Sequence, residues 1–274
     1  MGWEFLWIIL LVCAVLCAVG FYKFVYFLSI GYGFAVAGGG ITILIMTIVN
    51  AINGTWSGAL IWLAVLQAIL FVAYGVRLSG FLLIRELKDA AFKKTNVYKE
   101  TLDKSEKPMP IFVLATIWVF VSILYTMQVS PMLFMQMNGI NDLIAPIIGM
   151  VISVGGLVLE SIADKQKSEQ KKENPNMVAT KGLYKIVRCP NYLGEITFWT
   201  GIFVSGVTTF NHWGQWAVAI FAYVAIVFIM FNGAQRLEKR QMKRYGDDPV
   251  YNEYANKTPI ILPLVPLYHL NKKD

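Results

Sequence analysis

The chain has 274 residues, of which 57% are hydrophobic and 15% charged, with a mean hydropathy of +0.56. A water-soluble domain of this size is about one quarter charged, so the composition excludes an ordinary soluble fold. The formal net charge of +7 does not indicate nucleic acid as a partner, because the basic residues sort by side of a membrane.

Apolar runs of roughly 20 residues, enough to cross a hydrocarbon core about 30 Å thick, recur along the chain. They predict an all-α, multi-pass membrane protein with seven spans, at about 3–22, 25–50, 56–84, 109–130, 141–164, 196–209 and 212–235. The first run lacks a basic leading region and a small-residue cleavage site, so it reads as a retained helix and not a removed signal peptide. Cys13 and Cys17, one turn apart in that run, read as packing or lipid-facing residues. Cys189 falls at the inner interface. His212 and His269 are isolated, so no metal site is expected.

The basic residues give the orientation. Of the 24 Lys and Arg, all but Arg77 fall at Lys23, in the 85–108 loop, in the 165–195 loop or in the tail after 235. By the positive-inside rule those pieces are cytoplasmic, with the N-terminus outside and the C-terminus inside.

Gly31, Gly33 and Gly38–Gly40 interrupt the second span, which points to close helix packing or to a helix opened beside a cavity. A phosphate-cradling loop would need a strand before it, and no Rossmann fingerprint occurs. In the third span Tyr74 and Arg77 are one turn apart. Arg77 at that depth needs a partner or an aqueous cavity, or it snorkels to the inner interface. The 85–108 loop, with seven basic and five acidic residues, reads as a solvated connection.

The fifth span ends in Glu160-Ser-Ile-Ala-Asp164-Lys-Gln166-Lys167, which puts Glu160, Asp164 and Lys167 on one helix face. An acid on the membrane side of such a face is costly unless used, so it is a site candidate; the alternative is an interfacial charge cluster. Gly182-Leu-Tyr-Lys-Ile-Val-Arg188-Cys-Pro-Asn191-Tyr192-Leu-Gly-Glu195 follows, with four polar or charged candidates (Arg188, Asn191, Tyr192 and Glu195) just before an apolar run. The last span runs into Asn232, Arg236, Arg240 and Lys243 on one face. Such a stripe either meets anionic headgroups or clamps a polyanion through the forked donors of arginine. The tail then carries Tyr254 and Pro259-Ile-Ile-Leu-Pro263-Leu-Val-Pro266, too short and proline-rich to span, and suited to lie along the inner face as a lid.

Four blocks together resemble the steroid 5α-reductase family of membrane enzymes: residues 27–38, Tyr74-Gly-Val-Arg77, Glu160–Lys167, and Arg188–Glu195 with the 236–263 tail. The resemblance covers roughly 25–263 and is most specific in the C-terminal half. It implies seven helices around a cavity, with NADPH held on the cytoplasmic side by 131–274 and a lipid enclosed by 1–130, all in one membrane domain. By motif position it makes Glu160, Asp164, Lys167, Arg188, Asn191, Tyr192, Glu195, Asn232, Arg236, Arg240, Lys243 and Tyr254 cofactor contacts. Glu160 stands where animal members carry asparagine.

The implied reaction reduces a C=C bond conjugated to a carbonyl in a steroid or isoprenoid-like lipid. Tyr74 matches the family's hydrogen-bond donor to the carbonyl oxygen. The family's Gln-Glu, whose acid assists that tyrosine, is Ser29-Ile30 here, and no acid occurs between Glu4 and Glu86; Tyr32 is the candidate substitute. Two other readings compete: an isoprenylcysteine-type methyltransferase using S-adenosylmethionine, which has less need of a basic stripe, and a lipid-binding protein without enzymatic activity.

Overall fold

The computed structural model of the chain describes residues 3–88, 109–175 and 177–271. Among these residues all regular structure is helical, as the composition predicts. The greater part of the expected 85–108 loop lies outside the described residues. The chain divides into two compact units, Met1–Pro146 with Ser205–Ala222, and Ile147–Val204 with Tyr223–Asp274.

In the first unit, α1 (Trp3–Cys17) passes through two 3-10 turns, Ala18–Phe21 and Phe24–Leu28, into α2 (Ile30–Ile52). The helix proper therefore begins five residues later than expected, since Ser29 takes φ −132° and ψ −88°, outside the helical region. Phe27 folds back over Gly20, where a Cβ would lie 2.1 Å from its ring, and its carbonyl accepts the Tyr125 hydroxyl at 2.9 Å. From Ile30 onward α2 is unbroken through all its glycines. Packing is their role: Gly38 receives Leu16, Gly39 receives Val129 and Gly40 receives Phe71. Cys13 and Cys17 are fully buried, with their thiols against the Ala35 and Gly31 carbonyls at 3.8 Å each, so they pack and do not face lipid.

The turn after α2 delays the next helix. The Asn50 carbonyl accepts both Thr55 N and Trp56 N, and α3 runs Ile61–Lys88 instead of starting at 56. The fourth span needs the opposite correction. α4 (Ile111–Asn138) passes straight through Pro131, where the sequence suggested a connection from 131. Proline removes the N–H that would bond the carbonyl four residues back, but here Ser130 Oγ donates to that carbonyl, Met127 O, at 2.8 Å. The chain turns only at Gly139, with φ +83°.

The second unit is built on the greater part of α5 (Ile144–Glu173), α6 (Pro190–Gly206) and α7 (Trp213–Tyr245, from Tyr223 onward), together with α8 (Pro249–Lys257). α5 extends nine residues past the expected end, and α7 ten past its own. α6 starts at Pro190 and not at 196, because proline's fixed φ suits the first helical position. α8, unforeseen in the polar tail, is capped by the Asp248 side chain accepting Val250 N at 2.9 Å. The proline-rich segment beyond it folds back: Arg188 N and Cys189 N donate to Pro259 O and Ile260 O at 2.8 and 2.9 Å. Ile260 and Ile261 are buried with Cys189, Ile196 and Ala234.

Among the described residues six stretches are long and apolar enough to cross a membrane: Trp3–Phe21, Phe24–Ile52, Ile61–Gly80, Ile111–Asn138, Ile144–Glu173 and Trp213–Tyr245. They fit a multi-pass integral membrane protein. α6, at 17 residues, stands at the short limit of about 17–25 for a span.

Candidate functional site

α2 and α3 meet backbone to backbone. A Cβ on Gly75 would lie 2.1 Å from Gly33 O, and one on Gly33 would lie 2.6 Å from Gly75 O and 2.2 Å from Ser79 Oγ. Ser79 Oγ also donates to Ile30 O at 2.8 Å, which pins the start of α2. Each of these glycines directly follows a tyrosine, so the close approach brings Tyr32 and Tyr74 together. The Tyr74 hydroxyl donates to the Tyr32 hydroxyl at 2.9 Å, with both side chains buried. Tyr125 of α4 lies tilted over Tyr32, ring centroids 4.7 Å apart. Each of the two hydroxyls can act as donor or acceptor. Arg77, one turn beyond Tyr74, is half-buried. A cavity of about 630 Å³ in the same unit, lined in part by Glu4, Asn50, Trp56 and His212, belongs to the opposite end of α2. Asn50 stands about 27 Å along that helix from Tyr32, so this cavity is not where the tyrosine pair acts.

In the second unit, α5 and α6 also cross on glycine. Cβ atoms at Gly156 and Gly194 would lie 2.6 Å from Gly194 O and 2.7 Å from Glu160 N, and one at Gly201 would lie 2.2 Å from Ser153 Oγ. Glu160 thus stands at the crossing, against Gly194, with Glu195 next along α6. Both carboxylates are buried. Asp164 and Lys167 follow on α5, half-buried. Gln166 and Gln170 fold the next loop onto the helix end. Gln166 Oε1 accepts Leu183 N at 2.8 Å, and Gln170 Oε1 accepts Thr180 N and Lys181 N at 2.9 Å each. Gly182, at φ +66°, sits where a Cβ would meet the Gln166 amide at 2.4 Å, so only glycine fits the turn.

That turn delivers Tyr184, whose hydroxyl donates to Ala163 O at 3.3 Å and whose carbonyl accepts the Tyr254 hydroxyl at 2.7 Å. The Tyr192 ring covers Gly233 of α7 at 3.4 Å and lies within electrostatic reach of Arg240, Glu195 and Arg236. Asn191 precedes it, half-buried, in the first turn of α6. Asn232 Nδ2 caps Phe228 O at 2.8 Å, and Arg240 Nε reaches Arg236 O at 3.4 Å. The candidates of the 160–167, 188–195 and 232–254 stretches are therefore neighbours within one unit. Arg236, Arg240 and Lys243 are exposed on α7. Burial raises the hydroxyls of Tyr184 and Tyr254 well above the usual phenol range, which keeps both as neutral donors. It pushes the Cys189 thiol up to about 12, so this cysteine is a packing residue and not a nucleophile.

Arg188 differs from the exposed cations. Its side chain is 2% exposed and Nη2 donates to Glu238 Oε1 at 2.7 Å, as well as to Tyr268 O. Glu238, fully buried, is the hub of the tail: it also meets His269 Nδ1 at 3.0 Å and accepts Leu270 N, Asn271 N and Asn271 Nδ2 at 2.9–3.0 Å. Neither Glu238 nor Tyr184 was singled out from the sequence. The available signal for Glu238 was that it is the one acid between Arg236 and Gly246 among five bases.

Comparison with known proteins gives two positive results. A region of 122 residues, 43% of this chain and 41% of the relative, is 25% identical to the steroid 5α-reductase DET2 of Arabidopsis thaliana. The chain thus spans less than half the length of that relative. No solved structure matches. The model of the family described as protein of unknown function (DUF1295) matches residues 34–258, which takes in Tyr74, the α5–α6 crossing and the basic face of α7. The chain belongs to the DUF1295 family, and over 122 residues it is similar to a steroid 5α-reductase.

Proposed function

We propose that this protein is an integral membrane reductase that uses NADPH to saturate a C=C bond conjugated to a carbonyl in a steroid or isoprenoid-like lipid. The observation that carries the reading is the buried Tyr74–Tyr32 hydroxyl pair at 2.9 Å, in a chain of which 122 residues are similar to a steroid reductase. In this reading seven helices cross the membrane with the N-terminus outside, α6 included as a short span. Residues 1–130 enclose the lipid, and 131–274 hold the cofactor on the cytoplasmic side.

The residues present fit a phosphorylated dinucleotide. Arg236, Arg240 and Lys243 are exposed along one face of α7, with no ion pair among the described residues, and are suited to phosphate oxygens. Tyr192, Asn191, Tyr254 and Asn232 offer neutral donors and ring faces beside them, while Glu160, Asp164, Lys167 and Glu195 set the charge at the α5–α6 crossing. Arg188 contributes by holding the 188–195 stretch in place through Glu238. NADPH, when bound, supplies the hydride. The chain supplies the other half: the Tyr74 O–H, which bonds Tyr32 when no lipid is bound, turns to the carbonyl oxygen as negative charge grows there, and the Tyr32 hydroxyl donates to Tyr74 in exchange. A positioned donor of this kind contributes about 10²–10⁴-fold.

The test is titration of the purified protein in detergent with NADPH and, separately, with S-adenosylmethionine, followed by turnover on an enone lipid. NADPH should raise the melting temperature and S-adenosylmethionine should not; the reverse result favours the methyltransferase reading. Tyr74→Phe should lower turnover about a hundredfold with NADPH affinity unchanged, and full activity in that variant would remove Tyr74 from the chemistry.

A further inference from the structure

Gln128 of α4 is 2% exposed, and neither Oε1 nor Nε2 of its amide has a hydrogen-bond partner among the described residues. A buried amide in that state is costly, and in a native protein it calls for an explanation. In a membrane interior no bulk water offsets the cost. The residue is not among the motif positions that suggested the reductase chemistry, yet two independent routes lead from it to the tyrosine pair.

The first route is the register of α3 against α4. The Gln67 and Gln136 side chains bond at 3.5 Å, Gln67 Nε2 lies 3.8 Å from Met135 Sδ, and Leu60 N donates to Gln136 Oε1 at 3.1 Å. The start of α3 therefore meets the end of α4, and the two run antiparallel. Two turns forward from Gln67, about 10 Å along α3, is Tyr74; two turns back from Met135 is Gln128. A seven-residue step returns almost to the same helix face, so Tyr74 and Gln128 stand at one level on the facing sides. The second route is through α2. Tyr125, one turn before Gln128, covers the ring of Tyr32, and Tyr32 is the hydrogen-bond partner of Tyr74. α3 packs along α2 but touches α4 only sparsely, so a ligand entering beside Tyr74 parts a thin interface.

We propose that Gln128 is a specificity-determining residue of the lipid site, whose amide binds an oxygen of the lipid next to the tyrosine pair. A carbonyl oxygen takes the Nε2–H; a hydroxyl takes both amide atoms at once. This assigns a second polar handle on the carbonyl side, where the acid of the related reductases is absent. The inference rests on the reading that a lipid binds among α2, α3 and α4, and its test does not depend on NADPH or turnover.

The experiment measures melting temperature and lipid affinity of the full chain in detergent, for the wild type, Gln128→Leu and Gln128→Met. Three matched probes are used: cholest-4-en-3-one, the corresponding 3-alcohol, and cholest-4-ene, which lacks the oxygen. The wild type should bind the ketone and the alcohol more tightly than the hydrocarbon. Gln128→Leu should bind both oxygenated lipids about tenfold more weakly with hydrocarbon affinity unchanged. Without lipid, that variant should melt about 2 °C or more above the wild type, because an amide with no partner has been replaced by an apolar group of similar size. A purely structural amide predicts the opposite sign, a lower melting temperature. Lower melting temperatures in both variants, or no oxygen discrimination by the wild type, would overturn the proposal. Discrimination lost in Gln128→Leu, with no reduction of the ketone by NADPH in the wild type, would instead defeat the reductase reading and leave Gln128 in its assigned role.

Discussion

The two units handle buried polarity in different ways. Tyr32 and Tyr74 meet through uncharged hydroxyls, set into an interface that two glycines bring to backbone contact. Around Arg188 and Glu238 the chain buries full charges and pairs them with each other and with backbone groups of the returning tail, although Arg188 Nε and Nη1 have no hydrogen-bond partner among the described residues. Neutral donors remain usable by a third partner, because exchanging one hydrogen-bond partner for another strands no charge. A buried ion pair has no such slack: removing one member strands the other. The first region therefore has the character of a binding surface, and the second that of a clamp beside one.

The sharpest way to break this contrast is at the clamp. Glu238→Ala should destabilise the protein by about 3–5 kcal/mol, the penalty for an uncompensated buried charge, read by thermal unfolding in detergent. It should also expose the 258–271 segment to protease, since Glu238 accepts three hydrogen bonds from that segment. Adding Arg188→Met to Glu238→Leu should recover much of the loss; no recovery would mean the charge pair is not what holds the tail.

A smaller effect is expected at the helix contact. Gly75→Ala puts a methyl group 2.1 Å from Gly33 O and should cost about 1–3 kcal/mol, separating the tyrosine hydroxyls as well. Gly80→Ala, on the same helix with nothing within 4 Å of the added carbon, should be neutral or stabilising by up to about 1 kcal/mol. Equal effects in the two variants would contradict the close α2–α3 approach. The mildest change concerns the exposed cations of the second unit. Arg236→Ala should weaken NADPH binding about tenfold with little loss of stability, measured by isothermal titration. A melting temperature that falls as far as in Glu238→Ala would show that Arg236 belongs to the clamp instead.

Much of the site was legible in the sequence because helical periodicity fixes which residues share a face. Glu160, Asp164 and Lys167, and likewise Arg236, Arg240 and Lys243, were placed on common faces from spacing alone, and the structure keeps each set on one helix. Partners across helices were not legible. The sequence contains the glycines after Tyr32 and Tyr74, but that these glycines face one another is a property of the α2–α3 pairing. Arg188 looked like a ligand contact equal to Arg236; only the returning tail reveals that its charge is already matched by Glu238. Helix ends were the other failure, at Pro131 and Pro190. The same residue type is absorbed by a serine hydroxyl in one case and starts a helix in the other, and single-residue propensity does not distinguish them.

Composition and hydropathy by themselves determined that this is a helical, multi-pass membrane protein, because backbone groups in lipid must be satisfied within their own segment. Local spacing determined which charges and phenols lie on which face. The tertiary structure alone decided which of those groups pair off, because pairing depends on how closely helices approach. That approach is set by small residues meeting across an interface, at separations no single stretch of sequence specifies.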